Sequence, residues 1–158
     1  MVGEMNKQVF QQSNSKLGNL DAKYMVLIAY FGGVVLGFIP GVQYAAWLVP
    51  LIVFLVDKEN KFIAFHAMQA LLLEVVAVII YIILAIVSAI ALAGMYANPA
   101  SWGVGVGATL AFAAITAVVG IIILIFSILA AMKGYKYEIY EIPLVGKFAE
   151  KIVFKTSN

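Results

Sequence analysis

One histidine, one glutamine and one glutamate carry most of the chemistry this chain has to offer. In NKFIAFHAMQALLLEVVAVII, residues 60–80, His66, Gln69 and Glu74 interrupt a run of hydrocarbon. His66 is the only histidine, and Glu74 is remote in sequence from every other charge. At 100° per residue these three, with Tyr81 and Ser88, fall within an arc of roughly 140° on one helix face. An imidazole and a carboxylate on one face are the parts of a proton pathway, with Glu74 titrating and His66 as its relay two turns earlier. The same groups can instead form a polar packing cluster, His66 and Gln69 lying at headgroup depth while Glu74 snorkels to water or pairs with a lysine. On the residues alone both readings stay open.

Other chemistry finds little support. With one histidine, no cysteine and no second carboxylate facing Glu74, there is no triad, dyad or metal cage to recognise. The expectation is a protein that is not an enzyme and that holds no cofactor or metal. Gly103, Gly105 and Gly107 imitate a phosphate loop, but they follow no strand and adjoin Trp102, where an outer membrane interface is expected. A formal charge of +2 gives no reason to expect nucleic acid as a partner.

The elements that position these residues follow from composition. Of 158 residues, 65% are hydrophobic and 11% charged, too little polar surface to cover a soluble domain of this size. The class expected is an all-α integral membrane protein in contact with the lipid bilayer. Phe62 to Met95 and Trp102 to Met132 are each longer than the ~20 apolar residues a bilayer requires. Between Tyr24 and Val56 the apolar run is broken by Pro40, Gly41 and Pro50, which reads as a hairpin: one span over 22–39, a turn at Ile39 to Val42, and a shorter span over 43–56, tilted, kinked at Pro50 or incompletely crossing. Asp21 and Asn60 stand where helix N-caps belong. The organisation expected is a flexible polar tail over 1–20, a four-helix membrane domain over 21–135 and an amphipathic cytoplasmic segment over 136–158.

Lysine placement supports four spans. There is no arginine, and with four spans all ten lysines fall on one side, the cytoplasmic one, together with both termini. Tyr44, Trp47, Tyr96 and Trp102 then form the outer aromatic belt. After the last span, Pro143 is placed to open a helix on which Val145, Phe148, Ala149 and Ile152 recur beside Lys147, Lys151 and Lys155. That pattern fits a helix lying on anionic lipid headgroups, or one packed against the ends of the spans with the same stripe. Small residues at four-residue spacing, such as Gly33 with Gly37, fit helix packing within one bundle or between copies in a homo-oligomer.

Two separated stretches, FIAFHAMQALLLEVV and YEIYEIPLVGKFAEKI, carry a family resemblance. The first supplies Phe62, Phe65, His66, Gln69, Ala70, Leu71, Leu72 and Glu74, the acid one residue later than the family pattern; the second supplies Glu141, Ile142, Pro143 and Leu144. Over roughly residues 21 to 153 the chain resembles the Tic-twenty-like family, the chloroplast inner-envelope import component and its prokaryotic relatives. The resemblance implies a small multi-helix membrane protein linked to protein import. The functional expectation is therefore a non-catalytic scaffold or partner-binding subunit related to protein translocation, with a small-solute or proton-coupled transporter using Glu74 and His66 as the alternative.

Overall fold

A computed structural model describes residues 9–37 and 39–155. The beginning of the expected polar tail, residues 1–8, and the end of the C-terminal segment, residues 156–158, lie outside the described residues. Among the described residues there are five α-helices: α1 (Ala22–Gly37), α2 (Leu48–Val56), α3 (Lys61–Ala97), α4 (Trp102–Tyr135) and α5 (Val145–Lys155). Single 3-10 turns at Val42–Ala45 and Pro99–Ser101 connect α1 to α2 and α3 to α4. The chain divides into two compact units, one built from residues 1–74 and 125–158, the other from Val75–Leu124.

The Val75–Leu124 unit is a helical hairpin without a single charged residue. Its two arms, 75–97 and 102–124, are each roughly 34 Å long at 1.5 Å per residue, a close match to a ~30 Å hydrocarbon layer. Among its described residues only Ala77 and Gly105 are buried, while Ile79, Ile82, Ile86, Ile90, Leu110, Val118 and Ile121 are exposed. An apolar surface of that extent is incompatible with water and suits lipid. Thr109 and Thr116 donate their hydroxyls to the carbonyls of Gly105 and Phe112, at 2.9 and 2.8 Å, so these mid-arm polar groups are satisfied within α4 itself. At the tip, Ser101 Oγ donates to the carbonyls of Gly94 and Asn98, tying off the end of α3.

The other unit contains the core. It gathers α1, α2, the first part of α3, the last part of α4, and α5 around Met25, Phe62, Phe65 and Ile139, all fully or almost fully buried. Asn60 caps α3 by accepting the Ile63 amide at 3.3 Å, and Asp21 caps α1 by accepting the Lys23 amide at 3.1 Å. Residues 9–20, read from sequence as part of a flexible polar tail, run along this unit. Val9 bridges Glu138, the Phe10 amide donates to the Tyr137 carbonyl at 2.8 Å, and the Phe10 ring packs 5.5 Å from that of Phe62. Ser15 is buried, where its hydroxyl donates to Asp57, whose other oxygen accepts the Lys16 amide at 2.8 Å.

Among the described residues two helices, α3 and α4, are long and apolar enough to cross a membrane, and the expected count of four spans is not confirmed. α1 has 16 residues and α2 has nine, giving roughly 24 and 14 Å against the ~30 Å that crossing requires. Gly41 at φ +87° makes the turn expected beside Pro40, a conformation that glycine adopts without a steric penalty. Pro50 does not kink a long helix. It lies buried in the first turn of α2, where its missing N–H would have had no partner anyway. Similarly, α5 begins at Val145 and not at Pro143, because Leu144 takes φ +66°, outside the helical region.

Candidate functional site

The polar residues of α3 meet their partners inside the core unit. Phe62, Phe65, His66 and Gln69 occupy the first turns of α3, and all four are at most 1% exposed. A helix start that buries two aromatic rings also buries whatever lies on the same face. Hence His66 and Gln69 need hydrogen-bond partners or impose a desolvation penalty.

Gln69 has three partners. Its side-chain nitrogen donates to the Tyr30 hydroxyl at 2.7 Å and to the Tyr140 carbonyl at 3.0 Å, while its oxygen accepts the Ile142 amide at 3.0 Å. The Tyr30 hydroxyl in turn lies 3.3 Å from His66 Nδ1. One side chain on α3 thus binds α1 and the irregular segment that follows α4. Because Ile142 and Tyr140 flank Glu141, Gln69 also sets the conformation of the EIPL element. His66 Nε2 makes no hydrogen bond of good geometry among the described residues, the Glu138 backbone lies beside the imidazole, and the ring is enclosed edge-on by Phe62, Phe65 and Tyr30, at centroid distances of 4.9, 5.5 and 6.0 Å.

Glu74 stands apart from this network. Eight residues beyond His66, it is about 12 Å further along the helix axis, too far for a direct proton transfer between the two. It packs instead against Gly33 of α1, where an added Cβ would come within 2.9 Å of Glu74 Oε1 and 3.1 Å of the Ala46 carbonyl. The structure therefore joins His66 and Gln69 through Tyr30, and leaves the third member of the expected cluster with its own neighbour.

Each of the three polar side chains faces a glycine. A Cβ at Gly134 would meet Val26 Cγ1 at 2.5 Å and His66 Cε1 at 3.3 Å; one at Gly146 would meet Gln69 Oε1 at 2.8 Å and Glu141 Cα at 2.8 Å. Sequence reasoning did not find Tyr30, Gly134 or Gly146. No spacing rule connects them to α3, since each lies on a different element.

The remaining motif residues serve packing. Phe62 stacks on Tyr137 at 5.5 Å, Phe65 lies 6.1 Å from Phe154, Ala70 and Ile142 are buried, and Leu72 is half-buried against the cluster of Ala64, Phe65, Met68 and Ala149. Pro143 and Leu144 are exposed. Burial pushes the Glu141 carboxyl above its usual range, reinforced by Glu150 and opposed by Lys147. On α5, Val145, Ala149 and Val153 face the protein, whereas Phe148 and Ile152, expected on the same stripe, remain exposed with Leu144. Among the described residues no three histidine, aspartate or glutamate side chains are grouped to hold a metal ion.

A pattern of buried aromatics with one hydrogen-bonding amide records a packing requirement, and unrelated functions can share it. Comparison with known proteins gives the same message. The model of the MamF/MmsF family, described as the magnetosome magnetite crystal formation protein family, matches residues 21–149. No curated protein and no solved structure matches the chain. The match overturns the Tic-twenty-like assignment and, with it, both the translocation-related scaffold and the transporter alternative. The chain is a membrane protein and belongs to the magnetosome magnetite crystal formation protein family.

Proposed function

We propose that this protein acts in magnetite crystal formation from within the membrane that bounds the growing crystal. The carrying observation is the family match, which runs through both units, from the cap of α1 to the middle of α5. In this reading the Val75–Leu124 hairpin crosses the bilayer, and α1 with α2 dips into it from the lysine-bearing face and returns. Lys16, Lys23, Lys58, Lys61, Lys133, Lys136, Lys147 and Lys151 all belong to the core unit, which supports placing that unit and both termini on the cytoplasmic side. The uncharged Asn98–Ser101 tip then faces the crystal compartment. The exposed line of Leu144, Phe148 and Ile152, with Lys151 Nζ 5.6 Å from the Phe148 ring, supports contact of α5 with anionic headgroups.

The test is genetic. In a magnetite-forming cell from which the chain has been deleted, crystals seen by electron microscopy are expected to be abnormal in size or shape, and the intact chain is expected to restore them. Crystals of unchanged size and shape in the deletion strain would overturn the reading.

A further inference from the structure

At the junction of α2, α3 and α5 lies a groove of about 470 Å³ lined by Phe54, Lys58, Glu59, Lys61, Ile152 and Val153. Its floor is apolar and its rim is basic. Glu59 does not cancel the lysines, because its carboxylate is paired with Lys16 at 2.5 Å. Lys61 Nζ donates to the Val153 carbonyl at 2.8 Å, which holds one ammonium at the mouth and ties α5 to the start of α3. Lys58 is exposed beside it.

We infer that this groove is a binding site for an anionic phospholipid, with the headgroup phosphate between Lys58 and Lys61 and an acyl chain over Phe54 and Ile152. The physical reasons are complementary. A free phosphate would leave the apolar floor unused, and a zwitterionic headgroup would bring a cation to a basic rim. Lys58 in the loop between α2 and α3 and Lys61 at the start of α3 mark the headgroup level, so a lipid has its polar and apolar parts in register with the groove. These lysines are distinct from those of α5. The inference rests on the membrane placement and not on the role in crystal formation, so either can fail without the other.

The experiment uses the full chain purified in micelles, with lipid retention read by native mass spectrometry. Dioleoyl phosphatidylglycerol is expected to be retained over dioleoyl phosphatidylcholine. Lys58→Gln is expected to weaken that retention about fivefold, the effect of one lysine near a headgroup, with an unchanged melting temperature in lipid-free micelles. Lys133→Gln, at an exposed lysine paired with Glu138 outside the groove, is expected to leave it unchanged, and glycerol phosphate is expected not to displace the lipid. Equal retention of the two lipids, full retention by Lys58→Gln, an equal loss in Lys133→Gln, or displacement by glycerol phosphate would each overturn the assignment.

Discussion

The side-chain oxygen of Gln69 accepts the backbone N–H of Ile142 at 3.0 Å, across 73 residues of sequence. Because the nitrogen of the same amide donates to Tyr30 and to the Tyr140 carbonyl, replacing Gln69 disturbs three partner groups at once, two of them in buried bonds. Gln69→Leu keeps a similar volume and removes every bond. An orphaned buried donor or acceptor costs about 1–3 kcal/mol, so the variant is expected to melt several degrees lower in detergent, with the segment after α4 becoming protease-sensitive. A melting temperature equal to that of the parent would show that Gln69 is not the tie.

Gly134 tests whether the glycines opposite the polar residues are required by contact. Gly134→Ala should gain helix propensity of about 1 kcal/mol, yet its methyl would sit 2.5 Å from Val26 Cγ1. Overpacking of that kind costs about 1–3 kcal/mol, so net destabilisation is expected. Adding Val26→Ala removes the colliding methyl groups and should recover part of the loss, a coupling that two independent defects would not produce. Simple additivity of the two melting-temperature changes would reject the contact.

Stability should depend on pH through Asp21 and Tyr137, which hydrogen-bond across the base of α1. The Tyr137 hydroxyl, aided by the Lys23 amide and Gln12, holds the Asp21 carboxyl below its usual range against the effect of burial. A depressed carboxyl stabilises the fold above its unfolded pKa of about 3.9, and that contribution disappears as pH falls through the lower folded value. Burial and the Asp21 carboxylate push Tyr137 up to about 12, so its contribution is complete below about 10 and is lost as pH rises through about 12. Tyr137→Phe is expected to lower the melting temperature at neutral pH and to flatten both limbs of its pH profile. Profiles that merely shift in parallel would contradict this.

The topology can be read with single cysteines, since the chain has none of its own. Asn98→Cys should react with an impermeant thiol reagent only from the crystal-side face, and Ser13→Cys only from the opposite face. Val42→Cys, at the tip of the α1–α2 hairpin, should resist the reagent on the face where Asn98→Cys reacts, because α2 is too short to carry the tip across. Equal labelling of the Val42 and Asn98 variants from one face would establish four crossings instead.

What the sequence determined by itself was the class of molecule and the boundaries of its strongest elements. Composition and run length are sums over local residues, so the two long helices, the turn at Gly41 and the caps at Asp21 and Asn60 were legible in the residues themselves. The common face of His66, Gln69 and Glu74 was legible too, since it depends only on helical period. What that face touches was not. Gln69 finds Ile142, His66 finds Tyr30 and Gly134, and Glu74 finds Gly33, each from an element whose approach depends on how several apolar surfaces close together. The two motif stretches misled for a related reason: Phe62, Phe65 and Gln69 are needed to bury one helix start against the chain that follows α4, a demand of packing that says nothing of biological role. Only the tertiary structure separated the buried edge of α5, Val145, Ala149 and Val153, from the exposed one, Leu144, Phe148 and Ile152. Both edges are apolar, so periodicity sees one stripe, and the split was decided by which side the core could cover.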